Sequence, residues 1–201
     1  MVYLIGVNHI RTQRKKRGEG MTDSQRKYQS AVASVIQSND LSLLAEEDHS
    51  DYLFEADADS ILLEIAKTHQ IDDRHLFIDP GRDERGVIGY RSSKRIGEIR
   101  PDWPDGSVVN LAHMIVHQFP KREKLWFQKL QNYLERDILF VCGWGHIESF
   151  AALLASKEVT YSVLENHIGA LPKELTTDDF ARRYIKNHPT DFNNPNCPCL
   201  V

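Results

Sequence analysis

The chain has 201 residues, 41% of them apolar, with a formal net charge of −4 and a sequence pI near 6.1. This length is enough for one sizeable hydrophobic core, and the acidic balance excludes bulk electrostatic attraction to nucleic acid. No apolar run reaches the ~20 residues of a membrane span, and a strand predicted from Val2 leaves no room for a signal peptide. The three cysteines, Cys142, Cys197 and Cys199, do not form a disulfide framework, so we expect a cytoplasmic location.

Nearly continuous apolar runs, typical of strands buried on both faces of a parallel sheet, occur at residues 2–6, 41–47, 75–79 and 137–143. Helical patterns between them cover residues 24–38, a stretch from Asp59 or Ser60 to 70, and 107–133 with an interruption at Pro120. A helix at 147–158, a fifth strand at 159–165 and a helix at 176–187 with a Thr176/Asp179 capping pattern follow. This alternation predicts one α/β domain over residues 1–187, with a mostly parallel central sheet flanked by helices and an irregular tail at 188–201.

Each of the four main predicted strands ends at polar residues or at a turn that leads to one. These residues are Asn8 and His9, then Glu46, Glu47, Asp48 and His49, then Asp79, and finally the segment 143–146 that ends in His146. Because ligands bind beyond the carboxyl ends of parallel strands, we expect these side chains to line one crevice. Histidines beside carboxylates suit general acid–base catalysis or metal binding, and two close carboxylates suit a proton shuttle.

The glycines in "GWGH" (143–146) indicate a sharp turn between a strand and a helix. Glycine permits either a positive φ or a close backbone approach, so Gly143 and Gly145 can aim His146 across the sheet end. Their N–H groups at the helix start would favour an oxyanion or a phosphate. A dinucleotide fingerprint is excluded because Glu148 stands where G-x-G-x-x-G requires its third glycine.

Other motifs give weaker signals. The basic run from Arg11 to Arg17 is typical of a solvated loop, with a phosphate, an acidic substrate or nucleic acid as the alternative partner. His113 and His117 have ligand spacing on one helix face, but Met114 replaces the glutamate that a zincin requires. Asp79 is either a further metal ligand or a turn residue. His49, next to the acidic residues, is a candidate for a hydrogen bond that orients Glu46 or Glu47. No G-x-S-x-G elbow is present, which argues against a serine nucleophile.

Two G-x-x-H motifs, "GVNH" (6–9) and "GWGH" (143–146), bracket the pair Glu46-Glu47, and an arginine opens "REKLWFQKL" (122–130). In this order, the motifs resemble the superfamily of TIKI proteases, TraB/PrgY and GumN proteins, ChaN-like haem-binding proteins and erythromycin esterases. The resemblance covers residues 2 to about 165 and implies an active site of His9, Glu46, Glu47, Arg122 and His146. The basic loop after His9 and the segment 77–86 depart from the family pattern.

The resemblance implies a hydrolase that acts on a peptide, ester or lactone. Water would be activated by a divalent metal held by His9, Glu46, Glu47 and His146, or by a histidine–carboxylate base without metal. A mixed nitrogen and oxygen donor set suits Mn²⁺, Co²⁺ or Zn²⁺ better than Ca²⁺. Arg122 and N–H groups around Gly145 would stabilise an anionic intermediate. The alternative is a ligand-binding or regulatory module without turnover, which would bind haem or a phosphate-containing ligand.

Overall fold

The structure, a computed structural model, describes residues 1–192. Residues 193–201, which include Cys197, Cys199 and most of the predicted irregular tail, lie outside the described residues. The strands are β1 (Val2–Val7), β2 (Arg14–Lys16), β3 (Leu41–Glu46), β4 (Ala58–Ser60), β5 (His75–Phe77), β6 (Asp137–Gly143) and β7 (Tyr161–Ile168).

Within the described residues, five strands form one parallel sheet in the order β5-β3-β6-β1-β7, and β2 pairs with β4 in a small antiparallel sheet. The prediction of an α/β fold with a parallel central sheet flanked by helices is confirmed. Strand β6 lies between β1 and β3, with Val7 opposite Gly143 and Glu46 opposite Val141. The carboxyl ends of the three central strands therefore lie side by side.

The α-helices are α1 (Asp23–Ser38), α2 (Ser50–Glu55), α3 (Ile61–Thr68), α4 (Arg82–Val87), α5 (Ser93–Ile99), α6 (Val108–His113), α7 (Phe119–Leu130), α8 (Ile147–Ser156) and α9 (Pro172–Asn187). Short π-helical turns occupy His9–Gln13 and Met114–Gln118, and 3₁₀ turns occupy Asp72–Arg74, Gln131–Tyr133, Trp144–His146 and Pro189–Phe192. Thr22 begins α1 with a capping box to Gln25, and the Ser60 hydroxyl accepts the Leu63 N–H 3.0 Å away at the start of α3.

Alternate residues of the central strands enter two apolar clusters, one on each face of the sheet. The first cluster packs Leu4 and Phe140 against Phe150 of α8 and Trp126 of α7. The second cluster packs side chains such as Ile5 against α1 and α3, and its helical members are Tyr28, Val32, Val35, Ile61, Leu62, Ile65 and Ala66. Burial on both faces explains why the strand sequences are continuously apolar.

Two helix predictions are wrong in detail. The long helical region does not break at Pro120, because a π-helical turn at Met114–Gln118 precedes it and Pro120 occupies the second position of α7. The Phe119 N–H bonds to the Met114 carbonyl five residues earlier, so the π-helical turn widens the helix just before Pro120 and accommodates a residue that has no N–H to donate. Helix α9 begins at Pro172 rather than near Thr176, and the Glu174 carboxylate accepts the Leu171 N–H 2.8 Å away at its start. The Thr176 hydroxyl donates to the Pro172 carbonyl inside the helix instead of capping it.

Backbone contacts divide the chain into two compact units. The first, called here the sheet unit, comprises residues 1–79 and 126–170, and the second, the helical unit, comprises residues 80–125 and 171–201. The prediction of one domain over residues 1–187 stays a prediction. Among the described residues, none of the helices has the length and apolar character required to cross a membrane.

Candidate active site at the carboxyl ends of the central strands

The strand order brings three of the predicted site residues together in the sheet unit. Glu47 follows β3, His9 follows β1, and His146 ends the 3₁₀ turn after β6. Because β6 separates β1 from β3, His9 and Glu47 approach each other across the end of β6. The predicted crevice residues His9, Glu47 and His146 are therefore neighbours.

The Glu47 carboxylate is the centre of this group. Its Oε2 lies 3.0 Å from His9 Nε2 and accepts the backbone N–H of Gly143 at 2.7 Å. Its Oε1 lies 3.8 Å from His146 Nε2. The Glu47 and His146 side chains are only 3% and 5% exposed, whereas His9 is 28% exposed. One buried carboxylate thus faces two imidazoles, of which solvent reaches His9 more freely.

Gly143 is required by close approach and not by its backbone angles, since its φ is −56°. A Cβ atom at this position would lie 2.8 Å from His9 Nε2 and 3.3 Å from Glu47 Oε2. The N–H of Gly143, which the sequence suggested as a contact for an oxyanion, is instead donated to Glu47. The glycine therefore lets the carboxylate and the imidazole meet over the end of β6.

His9 opens the π-helical turn that follows β1. Asn8 caps this turn by accepting the Arg11 N–H at 3.3 Å, and Gln13, four residues after His9, returns its side-chain oxygen to His9 Nδ1. Gln13 is fully buried, and its Nε2 has no hydrogen-bond partner among the described residues. The widened turn thus holds the imidazole by both nitrogens, with Gln13 on one side and Glu47 on the other.

His146 is held by packing as well as by polar contact. It precedes α8, and its ring lies 4.8 Å from the Trp126 ring in an edge-to-face arrangement. The indole Nε1 of Trp126 donates to Asp79 Oδ1 at 3.3 Å, which gives Asp79 a structural contact inside the sheet unit. Asp79 therefore supports the tryptophan against which His146 packs.

Glu46 points away from this group, as expected for adjacent residues at the end of a strand. Its Oε1 accepts the Ser60 hydroxyl and lies 2.7 Å from His75 Nε2. Its Oε2 is buried without a hydrogen-bond partner in the described part of the chain. Tyr28 belongs to the same environment, because burial first, then the charges of Glu46 and Asp48, raise the pKa of its hydroxyl well above 10. Glu46 thus forms a second buried polar cluster behind the sheet end.

The remaining predicted residues have other contacts. Asp48 forms a bidentate ion pair with Arg14 at 2.8 and 2.9 Å, and its Oδ1 also accepts the His49 N–H at 2.8 Å. Arg122 belongs to the helical unit, where its guanidinium carbon lies 5.3 Å from the centroid of the Tyr90 ring.

Most cations of the basic run are engaged in ion pairs. Lys15 lies 3.1 Å from Glu64, and Arg17 lies 3.1 Å from Asp59. Lys16 lies 3.2 Å from Glu19. These pairs attach the small antiparallel sheet to nearby carboxylates. The segment is a π-helical turn followed by strand β2, so the prediction of a solvated loop is wrong for residues 11–16.

The donor atoms around His9 and Glu47 bear on the predicted metal site. In residues 1–192, no three or more His, Cys, Asp or Glu side chains form a group that could hold a metal ion. His9 Nε2 and Glu47 Oε2 are 3.0 Å apart and bond to each other directly. This arrangement fits a hydrogen-bonded acid–base group better than a preformed metal site.

Comparison of the chain with protein-family models, with curated proteins and with solved structures gives no significant match. The resemblance to the TIKI and erythromycin esterase superfamily therefore stays a prediction that rests on the motifs.

Sequence reasoning missed three polar side chains of the two clusters, Gln13, Ser60 and His75. A glutamine four residues after a candidate histidine is a usable signal, because that spacing returns the side chain to the same face of a helical turn. Ser60 was recognised only as a helix cap. His75 begins a predicted strand, and nothing in its sequence position indicates that its ring reaches a carboxylate on the neighbouring strand.

Proposed function

We propose that the protein is a hydrolase that activates water with the His9–Glu47 pair, without a metal, and acts on an ester, a lactone or a peptide. The observation that carries this proposal is the 3.0 Å contact between His9 Nε2 and Glu47 Oε2, in which a partly exposed imidazole bonds to a buried carboxylate. A carboxylate bonded to one ring nitrogen fixes the tautomer and orients the other nitrogen as a base.

In this mechanism, His9 keeps its proton on Nε2, and this N–H donates a hydrogen bond to Glu47. Its Nδ1 takes a proton from water. The hydroxide so formed attacks the acyl carbon, and the imidazolium returns the proton to the leaving group. Nδ1 faces the Gln13 side-chain oxygen, so a neutral His9 with its proton on Nε2 requires the Gln13 amide to turn until its N–H₂ group donates to Nδ1. The amide then moves aside before water reaches this nitrogen. His146 Nε2 lies 3.8 Å from the other carboxylate oxygen of Glu47. Its imidazole limits the positions open to this carboxylate and contributes to the electrostatic potential around it.

The test is a hydrolysis screen of carboxylic esters, lactones and peptides with the wild type and two variants, Glu47→Gln and His9→Ala. Loss of a general base lowers the rate by about 100-fold or more, so both variants are expected to fall by at least that factor. Glu64→Gln is the matched control, because it removes a carboxylate from the half-exposed pair with Lys15. Each assay is run with a chelator and again with added Mn²⁺, Co²⁺ or Zn²⁺.

Turnover that resists the chelator and is lost in both variants supports the proposal. Turnover that requires an added metal contradicts the metal-free mechanism and returns the donors to the metal-ligand role expected from the resemblance. No turnover on any substrate class contradicts the hydrolase itself and favours the binding module, for which haem absorbance of the purified protein and phosphate binding are the direct measurements.

A further inference from the structure

Two histidines of the helical unit lie against each other, and the proposed hydrolase uses neither of them. His113 ends α6, and His117 follows it by four residues in the π-helical turn at Met114–Gln118. Their ring centroids are 4.7 Å apart. His113 is only 1% exposed, and its Nε2 has no hydrogen-bond partner within residues 1–192. A buried imidazole nitrogen without a partner costs free energy, which a bound metal ion would recover.

Both imidazoles are in the form that binds metal. Burial first, then the charges of His117 and Lys121, lowers the pKa of His113 to about 4. Burial also lowers the pKa of His117, against the opposing effect of a hydrogen bond to the Phe192 backbone. A metal ion binds the neutral imidazole, so protons compete weakly for these two rings at neutral pH.

The hydrogen bond to Phe192 determines which nitrogen of His117 is free. Because this bond opposes the lowering of the His117 pKa, the ring donates and the Phe192 carbonyl accepts. A neutral imidazole that donates from one nitrogen carries a lone pair on the other. Metal-binding histidines are commonly oriented in this way, by a bond from the second ring nitrogen to a backbone carbonyl. His117 is therefore oriented as a ligand.

Phe192 also brings the chain to the two histidines shortly before a pair of cysteines. Its side chain is buried in a cluster with Ala112 of α6 and Ala181 of α9, and its ring centroid lies 6.2 Å from that of His117. The sequence then continues through residues 193–201, which contain Cys197 and Cys199. Since one residue spans at most ~3.5 Å, the five residues from Phe192 to Cys197 span up to roughly 17 Å. That length is sufficient for both thiols to reach the histidines.

We propose that His113, His117, Cys197 and Cys199 together bind one Zn²⁺ ion. Two imidazoles and two thiolates form a donor set that zinc uses in structural sites, and H-x₃-H is a spacing typical of such sites. The C-x-C spacing is one residue shorter than the usual C-x₂-C, so each cysteine requires its own test. Residues 1–192 supply two of the four ligands, which agrees with the absence of any group of three donors among them. The ion would hold the C-terminal segment against α6.

The charges around His113 favour sulfur ligands. Lys121, Arg100 and Arg91 all contribute to lowering the pKa of this histidine, so a divalent cation bound by the two imidazoles alone would be repelled. Two thiolates cancel the charge of Zn²⁺ and make the complete site neutral. Nearby cations also lower the pKa of a cysteine thiol and favour its thiolate form. These charges therefore favour the four-ligand site over one made of histidines only.

The experiment titrates the full chain, reduced and freed of metal by a chelator, with Co²⁺ as a spectroscopic substitute for Zn²⁺. Tetrahedral Co²⁺ with sulfur ligands gives visible ligand-field bands and a thiolate-to-cobalt charge-transfer band in the near ultraviolet. We expect both signals to saturate at one Co²⁺ per chain and to disappear when Zn²⁺ displaces Co²⁺. Added Zn²⁺ should also raise Tm, because it binds the folded state.

Three variants, His117→Gln, Cys197→Ser and Cys199→Ser, are each expected to weaken Co²⁺ binding by about 100-fold or more, since even a residue that only supports a ligand changes metal affinity by about 10–100-fold. Each cysteine variant should also weaken the charge-transfer band. His188→Gln and Cys142→Ala are the matched controls and should keep the wild-type affinity. His188 is an exposed histidine of the same unit, and Cys142 is a buried cysteine of the sheet unit.

The absence of a cobalt spectrum in the wild type would overturn the site, and so would a spectrum that either cysteine variant leaves unchanged. If His117→Gln fails to fold by circular dichroism, the two cysteine variants decide the question. The hydrolase candidate site is separated by His9→Ala, which is expected to keep the spectrum. Loss of the spectrum in His9→Ala but not in His117→Gln would assign the metal to His9 and overturn this proposal. These signals do not depend on hydrolysis, so failure here is separate from failure of the hydrolase proposal.

Discussion

The Glu47 carboxylate accepts the backbone N–H of Gly143 at 2.7 Å, and this bond ties the end of β3 to the end of β6. The same oxygen faces His9 Nε2 at 3.0 Å. A single buried oxygen therefore connects the ends of three strands. The candidate site contributes to the stability of the sheet end in addition to its proposed chemical role.

Replacing Gly143 by alanine is expected to destabilise the fold and displace His9. The new Cβ would lie 2.8 Å from His9 Nε2, and forcing extra atoms into a packed site costs about 1–3 kcal/mol. Urea unfolding measures the loss, and the hydrolysis assay measures the displacement. Gly20→Ala is the control, because a Cβ there meets nothing within 4 Å, and an unstrained surface change stays within about 0.5 kcal/mol. Equal stability of the two variants would contradict the close approach.

The buried pair of Glu46 and His75 is expected to be energetically coupled. Their side chains are 0% and 4% exposed and 2.7 Å apart, so removing Glu46 leaves His75 Nε2 buried without this partner, and removing His75 leaves Glu46 with the Ser60 hydroxyl. A double-mutant cycle with Glu46→Leu and His75→Phe, each of which removes the polar group, should give a coupling free energy of about 1–3 kcal/mol. The pair of Lys15 and Glu64, at 3.1 Å and partly exposed, is the control and should couple by less than about 1 kcal/mol. Similar coupling free energies in the two cycles would show that burial does not strengthen the interaction between Glu46 and His75.

Removing the hydroxyl of Tyr28 and that of Tyr3 is expected to change the free energy of unfolding in opposite directions. The Tyr28 hydroxyl is fully buried without a hydrogen-bond partner among the described residues, so Tyr28→Phe should raise the free energy of unfolding by about 1 kcal/mol. The Tyr3 hydroxyl donates to Asn39 Oδ1 at 2.7 Å, so Tyr3→Phe should lower that free energy by about 1 kcal/mol. Chemical denaturation of the two variants side by side is the measurement. A lower free energy of unfolding for Tyr28→Phe than for the wild type would show that the Tyr28 hydroxyl is hydrogen-bonded.

His113 is expected to make stability depend on pH. Burial first, then the charges of His117 and Lys121, lowers its pKa from 6.5 to about 4. The unfolded chain therefore binds more protons than the folded one between pH 4 and 6.5, so stability falls as pH drops through this window. Burial and the charge of Lys121 also lower the pKa of His117, which acts in the same direction.

His113→Phe removes this titration and is expected to flatten the decline in the free energy of unfolding between pH 6.5 and 4. The wild type should lose roughly 2–3 kcal/mol more than the variant over that range. The measurement is urea unfolding at several pH values, with His188→Phe, at the exposed end of α9, as a control that should keep the wild-type slope. An unchanged slope in His113→Phe would contradict the assignment.

Much of the fold could be predicted from local sequence patterns. The continuous apolar runs of β1, β3 and β6 identified the central strands, and Ser60 marked the start of α3. The pairing of β2 with β4 could not be predicted, because three-residue strands carry no usable periodicity. The Pro120 interpretation failed because a π-helical turn widens the helix just before the proline, and only the backbone hydrogen bonds reveal that turn.

The sequence by itself determined which residues stand at the strand ends: His9 at the end of β1, Glu46 and Glu47 at the end of β3, and Gly143 to His146 at the end of β6. These positions depend only on local order along the chain. The tertiary structure decided that β6 lies between β1 and β3, and hence that Glu47 meets His9 and Gly143 while Glu46 meets His75. Strand order is set by packing between distant segments of the chain. Adjacent residues of a strand point to opposite faces, so a shift of one residue would exchange the partners of Glu46 and Glu47. Local sequence therefore predicts neither the strand order nor these partners.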